Sequence, residues 1–152
     1  MRLLSSRWRN TVLTIHIAVS VGLLGDSAGF LAVAIRARMA DDPATVMAMI
    51  QALNMFAMVF GIPLSFAALL SGIALGFGTK WGVLRYPWVI AKLLLIVSVM
   101  MVGGLMIGPA LTTMLAGGSD QTMALIVAAA YDVVALAIAT GLAVFKPGRR
   151  LR

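Results

Sequence analysis

The chain has 152 residues, of which 62% are hydrophobic and 11% are charged, with a net charge of +7 and no cysteine. Soluble domains are about 45–50% apolar and about 25% charged, and a small soluble domain cannot bury this much apolar side chain. The composition therefore excludes an ordinary soluble globule, a disordered chain, a nucleic-acid-binding module and any disulfide or thiolate chemistry.

Four apolar stretches are long enough to cross a bilayer, which takes about 20 residues. They are predicted at 11–35, 50–77, 88–108 and 122–145. The first is longer than the apolar core of a signal peptide, about 7–15 residues, so we expect a retained helix. The connections are short, which leaves no room for a soluble domain. The sequence predicts an all-α protein, one domain over 1–152 with four transmembrane helices in an up-down-up-down bundle.

The basic residues predict the orientation of this bundle. Ten of the twelve Lys and Arg lie on one side of the four spans, including the basic tail at 146–152. Because cytoplasmic connections are enriched in Lys and Arg, we expect a multi-pass protein of the cytoplasmic membrane with both termini inside. Aromatic and basic side chains at this boundary are predicted to be interfacial anchors. They are Trp81, Arg85, Tyr86, Trp88 and Lys92.

Small residues recur at helical spacing in three spans and predict faces for packing inside the bundle or against a second copy. These faces carry Ala18, Gly22, Gly25 and Gly29; Asn54, Gly61, Ser65, Ala68, Gly72 and Gly76; and Ala128, Asp132, Ala135 and Ala139. Pro63 is predicted to kink the second span, and Gly108–Pro109 to end the third.

Ionisable residues are costly in hydrocarbon and are the candidates for function. Asp132 falls near the midplane, and Asp26 falls within about one helical turn of that level. Two carboxyls so close would share a proton, which suits proton-coupled transport. The alternative is a pair that fixes helix packing through hydrogen bonds, with Asn54, Tyr131 or a serine as partner.

His16 is the only histidine. It could contact a haem, with a methionine or a second copy supplying the other ligand, although a histidine that is hydrogen-bonded within the bundle is the simpler interpretation. Zinc and di-iron sites need ligands that a chain with no Glu, no Cys and one His does not offer. We expect no metal and no cofactor other than this candidate haem.

One string is distinctive: Gly78-Thr79-Lys80-Trp81-Gly82, followed by Trp88-Val89 and Lys92-Leu93. With His16, 21–25, Phe30-Leu31 and Pro63-Leu64 it resembles a family of small bacterial integral membrane proteins, frequent in actinobacteria, that is a domain of unknown function. The resemblance covers about 11–107, departs from the family pattern at Pro87 and finds no motif in the fourth span. It implies four helices and no known activity. A fainter likeness to copper-resistance and haem-associated four-helix proteins rests on His16 and the glycines after it.

Three functions are compatible with these residues. The first, which the sequence favours, is a noncatalytic accessory, packing or lipid-contacting subunit, since no catalytic motif is present. The second is a small proton-coupled transporter that uses Asp132 and Asp26. The third is a haem or quinone redox protein that uses His16. The expected partners are the lipid bilayer and either a second copy or another membrane subunit, and no nucleic acid.

Overall fold

A computed structural model describes residues 5–78 and 86–145 of the chain. All the regular elements in these two ranges are helical. They are α1 (Ser6–Arg38), α2 (Pro43–Met55), a first π segment (Phe56–Gly61), α3 (Ile62–Gly78), α4 (Pro87–Val102), a second π segment (Gly103–Ile107), α5 (Gly108–Leu115) and α6 (Thr122–Phe145).

These elements join into four helices that are long and apolar enough to cross a membrane. The first is α1, the second span is Pro43–Gly78, the third span is Pro87–Leu115, and the fourth is α6. The structure thus confirms the predicted all-α class with four long apolar helices. The helices reach beyond the predicted spans at several ends, and α1, with 33 residues, is about 50 Å long.

The four helices do not contact one another equally. The most extensive contacts join α1 to α6 and to α3, and α4 packs mainly against α6. The second and third spans contact each other less, through α3 with α4 and α2 with α5. The bundle therefore has a weakly packed seam between its second and third spans.

The interior faces agree with the small-residue pattern in two spans and differ in α1. Small residues of the second span and α6 are buried as predicted, among them Ser65, Ala68, Gly76, Ala128 and Ala135. The buried face of α1 instead carries Leu23, Ser27, Phe30, Ala34 and Ala37. Gly25 is exposed with nothing near its Cβ position, while Gly29 lies against the Phe56 ring.

The two prolines inside the spans are Pro63 and Pro109, and each stands two residues after the end of a π segment. Proline has no N–H, and its ring clashes with the carbonyl four residues earlier, here that of Val59 or Leu105. Both carbonyls lie inside the π segments, where the wider turn bonds to the fifth residue instead. For this reason the third helix continues through Gly108–Pro109 to Leu115 and does not end there as predicted.

The second span begins earlier than the predicted 50–77 because Asp42 caps it. The Asp42 carboxylate accepts hydrogen bonds from the backbone N–H and the hydroxyl of Thr45, at 2.8 and 2.6 Å. Pro43 occupies the first turn, where its missing N–H costs nothing. This Asp-Pro start signal is visible in the sequence, and it shortens the first connection to the residues between Arg38 and Pro43.

We expect Asp42→Ala to lower the melting temperature at pH 7 in detergent, measured by circular dichroism. The hydrogen bonds from the Thr45 side chain and backbone hold the pKa of Asp42 below its ordinary 3.8. A lowered folded-state pKa contributes stability above the unfolded value that is lost as the pH falls through the folded one. The difference from wild type should therefore shrink in acid. Asp41→Ala, beside the cap, should change little; an equal effect of both variants would contradict the cap.

Candidate functional site

A cavity of about 400 Å³ lies inside the bundle and is lined by residues of all four spans. Its volume falls in the range of small-molecule sites, about 300–1,000 Å³. Three side chains of the second span at its edge, Met58, Ile62 and Phe66, are 58%, 48% and 51% exposed. Gly104 and Thr112 of the third span are exposed at the same edge. The cavity therefore opens sideways, at the seam between the second and third spans.

The cavity is a polar level between two apolar clusters of the core. One cluster is built around Phe30, Ile50, Leu53, Leu111 and Leu125, and the other around Leu23, Ala68, Val99, Ala135 and Leu136. Five polar lining residues fall between these positions along the chain: Asp26, Ser27, Asn54, Ser65 and Asp132. A sixth, Thr112, lies beside Leu111 of the first cluster. The three predicted candidates Asp132, Asp26 and Asn54 are thus brought to one cavity.

Asp132 is the most buried ionisable residue of the cavity. It is 6% exposed and stands on α6 between the buried Ala128 and Ala135. Its Oδ1 atom is buried and has no hydrogen-bond partner among the described residues. A buried polar atom without a partner costs roughly 1–3 kcal/mol, so Asp132 is poorly explained as a packing residue.

Asp26 presents a second such carboxyl from α1. The residue is half-buried, but its Oδ1 is buried and likewise lacks a partner in the described ranges. Its Oδ2 lies 3.4 Å from where a Cβ on Gly61 would stand, so glycine in the first π segment leaves room for the carboxylate. No hydrogen bond of the described residues joins Asp26 to Asp132 or either one to Asn54, Tyr131 or a serine.

Every charged residue that lines the cavity in the described ranges is one of these two aspartates. The remaining polar groups are neutral, and most of the wall is apolar, including Phe30, Phe66 and Met100. The described residues also contain no group of three or more His, Cys, Asp or Glu that could hold a metal ion. Among the described lining residues, the site therefore has two acidic groups and no basic one.

The two π segments were not predicted, and both line the cavity. Ala57, Met58 and Gly61 come from the first, and Gly103, Gly104 and Ile107 from the second. π segments inside α-helices are frequent at functional sites. The available signal was proline in two apolar spans, each with glycine shortly before it.

His16 lies apart from the cavity lining, between α1 and α3. Its Nδ1 is 2.9 Å from the Ser71 Oγ, which itself contacts the carbonyls of Ala67 and Ala68 at 2.6 and 3.2 Å. Carbonyls only accept, so the single hydroxyl hydrogen of Ser71 points to them, and Nδ1–H must donate to Oγ. The packing is close, since a Cβ on Gly72 would stand 3.2 Å from the His16 Cε1.

The predicted interfacial anchors are only partly described. Trp81 and Arg85 lie outside the described residues. Tyr86 occupies the N-cap position of α4, and its ring centroid lies 6.4 Å from that of Trp88. Lys92 follows about one turn into α4 and is half-buried.

Comparison with known proteins identifies one family. The chain belongs to the family DUF2269, described as a predicted integral membrane protein, whose model matches residues 10–147. The match confirms the resemblance noted from the sequence and extends it through the fourth span, where no motif was evident. No curated protein and no solved structure matches.

We expect Asp132→Leu to raise the free energy of unfolding in detergent by roughly 1–3 kcal/mol, because it removes a buried carboxyl without a partner. The cavity beside it accommodates the larger side chain. Asp41→Leu, at an exposed site outside the helices, should change stability little. A loss of stability in Asp132→Leu would show that the carboxyl fixes helix packing.

Gly72→Leu is expected to destabilise the bundle by roughly 1–3 kcal/mol, because its side chain would occupy the space of the His16 ring. Gly25→Leu is the matched control, since nothing lies within 4 Å of its Cβ position. Chemical denaturation followed by tryptophan fluorescence measures both. Equal effects would place His16 away from Gly72.

Proposed function

We propose that this member of the family is a small proton-coupled carrier whose solute site is the cavity of Asp132 and Asp26. The observation that carries the proposal is a cavity that residues of all four spans line, Asp132 and Asp26 among them. The Oδ1 of each aspartate is buried and has no hydrogen-bond partner among the described residues. Ionisable groups that face an interior cavity of a membrane protein typically mark solute or proton pathways. Asn54 supplies an amide that can orient the solute.

The accessory or packing role receives less support from the same geometry. A carboxyl that fixes helix packing would donate or accept a hydrogen bond across the bundle, as His16 does with Ser71. Asp132 and Asp26 make no such bond within the described residues. We propose no catalytic role for either residue.

The proposed topology has both termini in the cytoplasm, supported by ten basic residues on that side against two on the other. Asp26 then lies past the middle of α1 toward the outer side, and Asp132 near the middle of α6. Protons would reach the cavity from either side in turn. The second copy or other membrane subunit expected from the sequence stays a prediction.

The haem or quinone function of His16 stays a prediction. The hydrogen bond to Ser71 and the close approach of Gly72 explain the residue without a ligand. A Soret band in purified protein after haem addition, absent in His16→Ala, would support the redox function.

The chain has no cysteine, so a single introduced cysteine can report access to the cavity. We expect Ser65→Cys to react with a membrane-impermeant thiol reagent in both right-side-out and inside-out vesicles, because a carrier exposes its site to each side in turn. Reaction from one side only, or from neither, would contradict the carrier. Solute-driven proton movement in liposomes should in addition be lost in Asp132→Asn.

Two cysteine controls define the limits of this measurement. Ala44→Cys, in the exposed first turn of α2, should react from one side only. Val127 lies on the outer face of α6 and is 56% exposed. Val127→Cys should therefore face lipid and react from neither side. If Ala44→Cys reacts only in right-side-out vesicles, it also supports the proposed topology.

A further inference from the structure

We infer that the solute of this cavity is a monovalent organic cation with an apolar body, which exchanges with a proton at the aspartates. The inference rests on the proposed carrier function and names its substrate class. It starts from the charge of the site: Asp26 and Asp132 are its only charged residues in the described ranges. An ionised carboxylate in a low-dielectric site needs a positive partner, and no described lining residue provides one.

The positive charge that the two carboxylates need can come from two sources, a proton or a bound cation. The second and third spans face the cavity with neutral side chains, of which the polar ones are Asn54, Ser65 and Thr112. Among the described residues, the titratable groups of α1 and α6 that line the cavity are Asp26 and Asp132. His16 of α1 and Lys92 of α4 do not line it. Proton and cation therefore compete for the same oxygens.

The walls indicate what kind of cation fits. Phe30 and Phe66 contribute aromatic rings, and Met58 and Met100 contribute polarizable side chains. Aromatic faces attract organic ammonium groups, whereas a small metal ion requires about six oxygen ligands or retained waters. At about 400 Å³, the cavity has room for an organic ion with an apolar group.

The lateral opening agrees with an apolar body on the cation. Met58, Ile62 and Phe66 form an apolar edge at the seam between the second and third spans. An amphipathic cation can partition into the bilayer and enter there, with its apolar group against this edge and its charge toward the carboxylates. A hydrophilic anion would have to pass the apolar side chains at the opening, and the two carboxylates would then repel it.

Binding of benzyltrimethylammonium to the detergent-solubilised full chain tests the inference by titration calorimetry. We expect saturable binding that weakens as the pH falls, with a proton released on binding, detected by an indicator dye in weak buffer. A quaternary ammonium carries no exchangeable proton, so the released proton must come from the protein. Asp132→Asn should weaken binding about tenfold or more, and Asp41→Asn should not.

Benzylsulfonate, which has the same aromatic group and the opposite charge, should not bind. Equal binding of the two probes, or unchanged affinity in Asp132→Asn, would overturn the cation assignment. Absence of benzyltrimethylammonium binding in wild type would overturn it as well. These failures are distinct from failure of the carrier: Ser65→Cys that reacts from both sides without cation binding leaves a carrier of another solute. Cation binding with one-sided access leaves a binding protein.

Discussion

The constraint on which the rest of this structure depends is that a helix in lipid must satisfy its own backbone hydrogen bonds. Pro63 and Pro109 each remove a donor from an apolar span, and water is not there to replace it. A π segment precedes each proline, at Phe56–Gly61 and Gly103–Ile107. These wider turns preserve the length of both helices, so the second and third spans continue to their ends.

The same two turns determine where the cavity forms. Both π segments line it, from the second and third spans, which contact each other less than the other neighbouring helices do. A π turn offsets the side chains that follow it from the ordinary helical stripe, which prevents close packing along the seam. Glycines at 61, 103 and 104 add no side chain to fill the space. The change in backbone hydrogen bonding before the two prolines thus produces a gap in the core, at the level of Asp26 on α1 and Asp132 on α6.

The sequence predicts much of this arrangement and misses its cause. Asp26 and Asp132 could be placed near one level, because span bounds and the rise per residue fix depth in a helix. Asn54 was a candidate partner whose level was not predicted. Side-chain periodicity does not mark the π segments, because they are a choice of backbone bonding partner. For that reason Pro109 was expected to end a helix that continues. The signal that pointed to the π segments was glycine shortly before Pro63 and Pro109. Gly25 belongs to a packing stripe by spacing but is exposed, and the buried face of α1 carries Leu23, Ser27 and Phe30.

His16 and Asp132 differ in whether a polar group inside the bundle has a hydrogen-bond partner among the described residues. His16 has a serine opposite it, whose hydroxyl is already oriented by two carbonyls, so its position is explained by bonds within the bundle. Asp132 is more deeply buried, yet it stands between the buried Ala128 and Ala135 on α6 and its Oδ1 has no described partner. A fold gains nothing from such a group, because an apolar residue would pack there at lower cost. Its presence beside a cavity is therefore better explained by something that enters the cavity than by the stability of the helices around it.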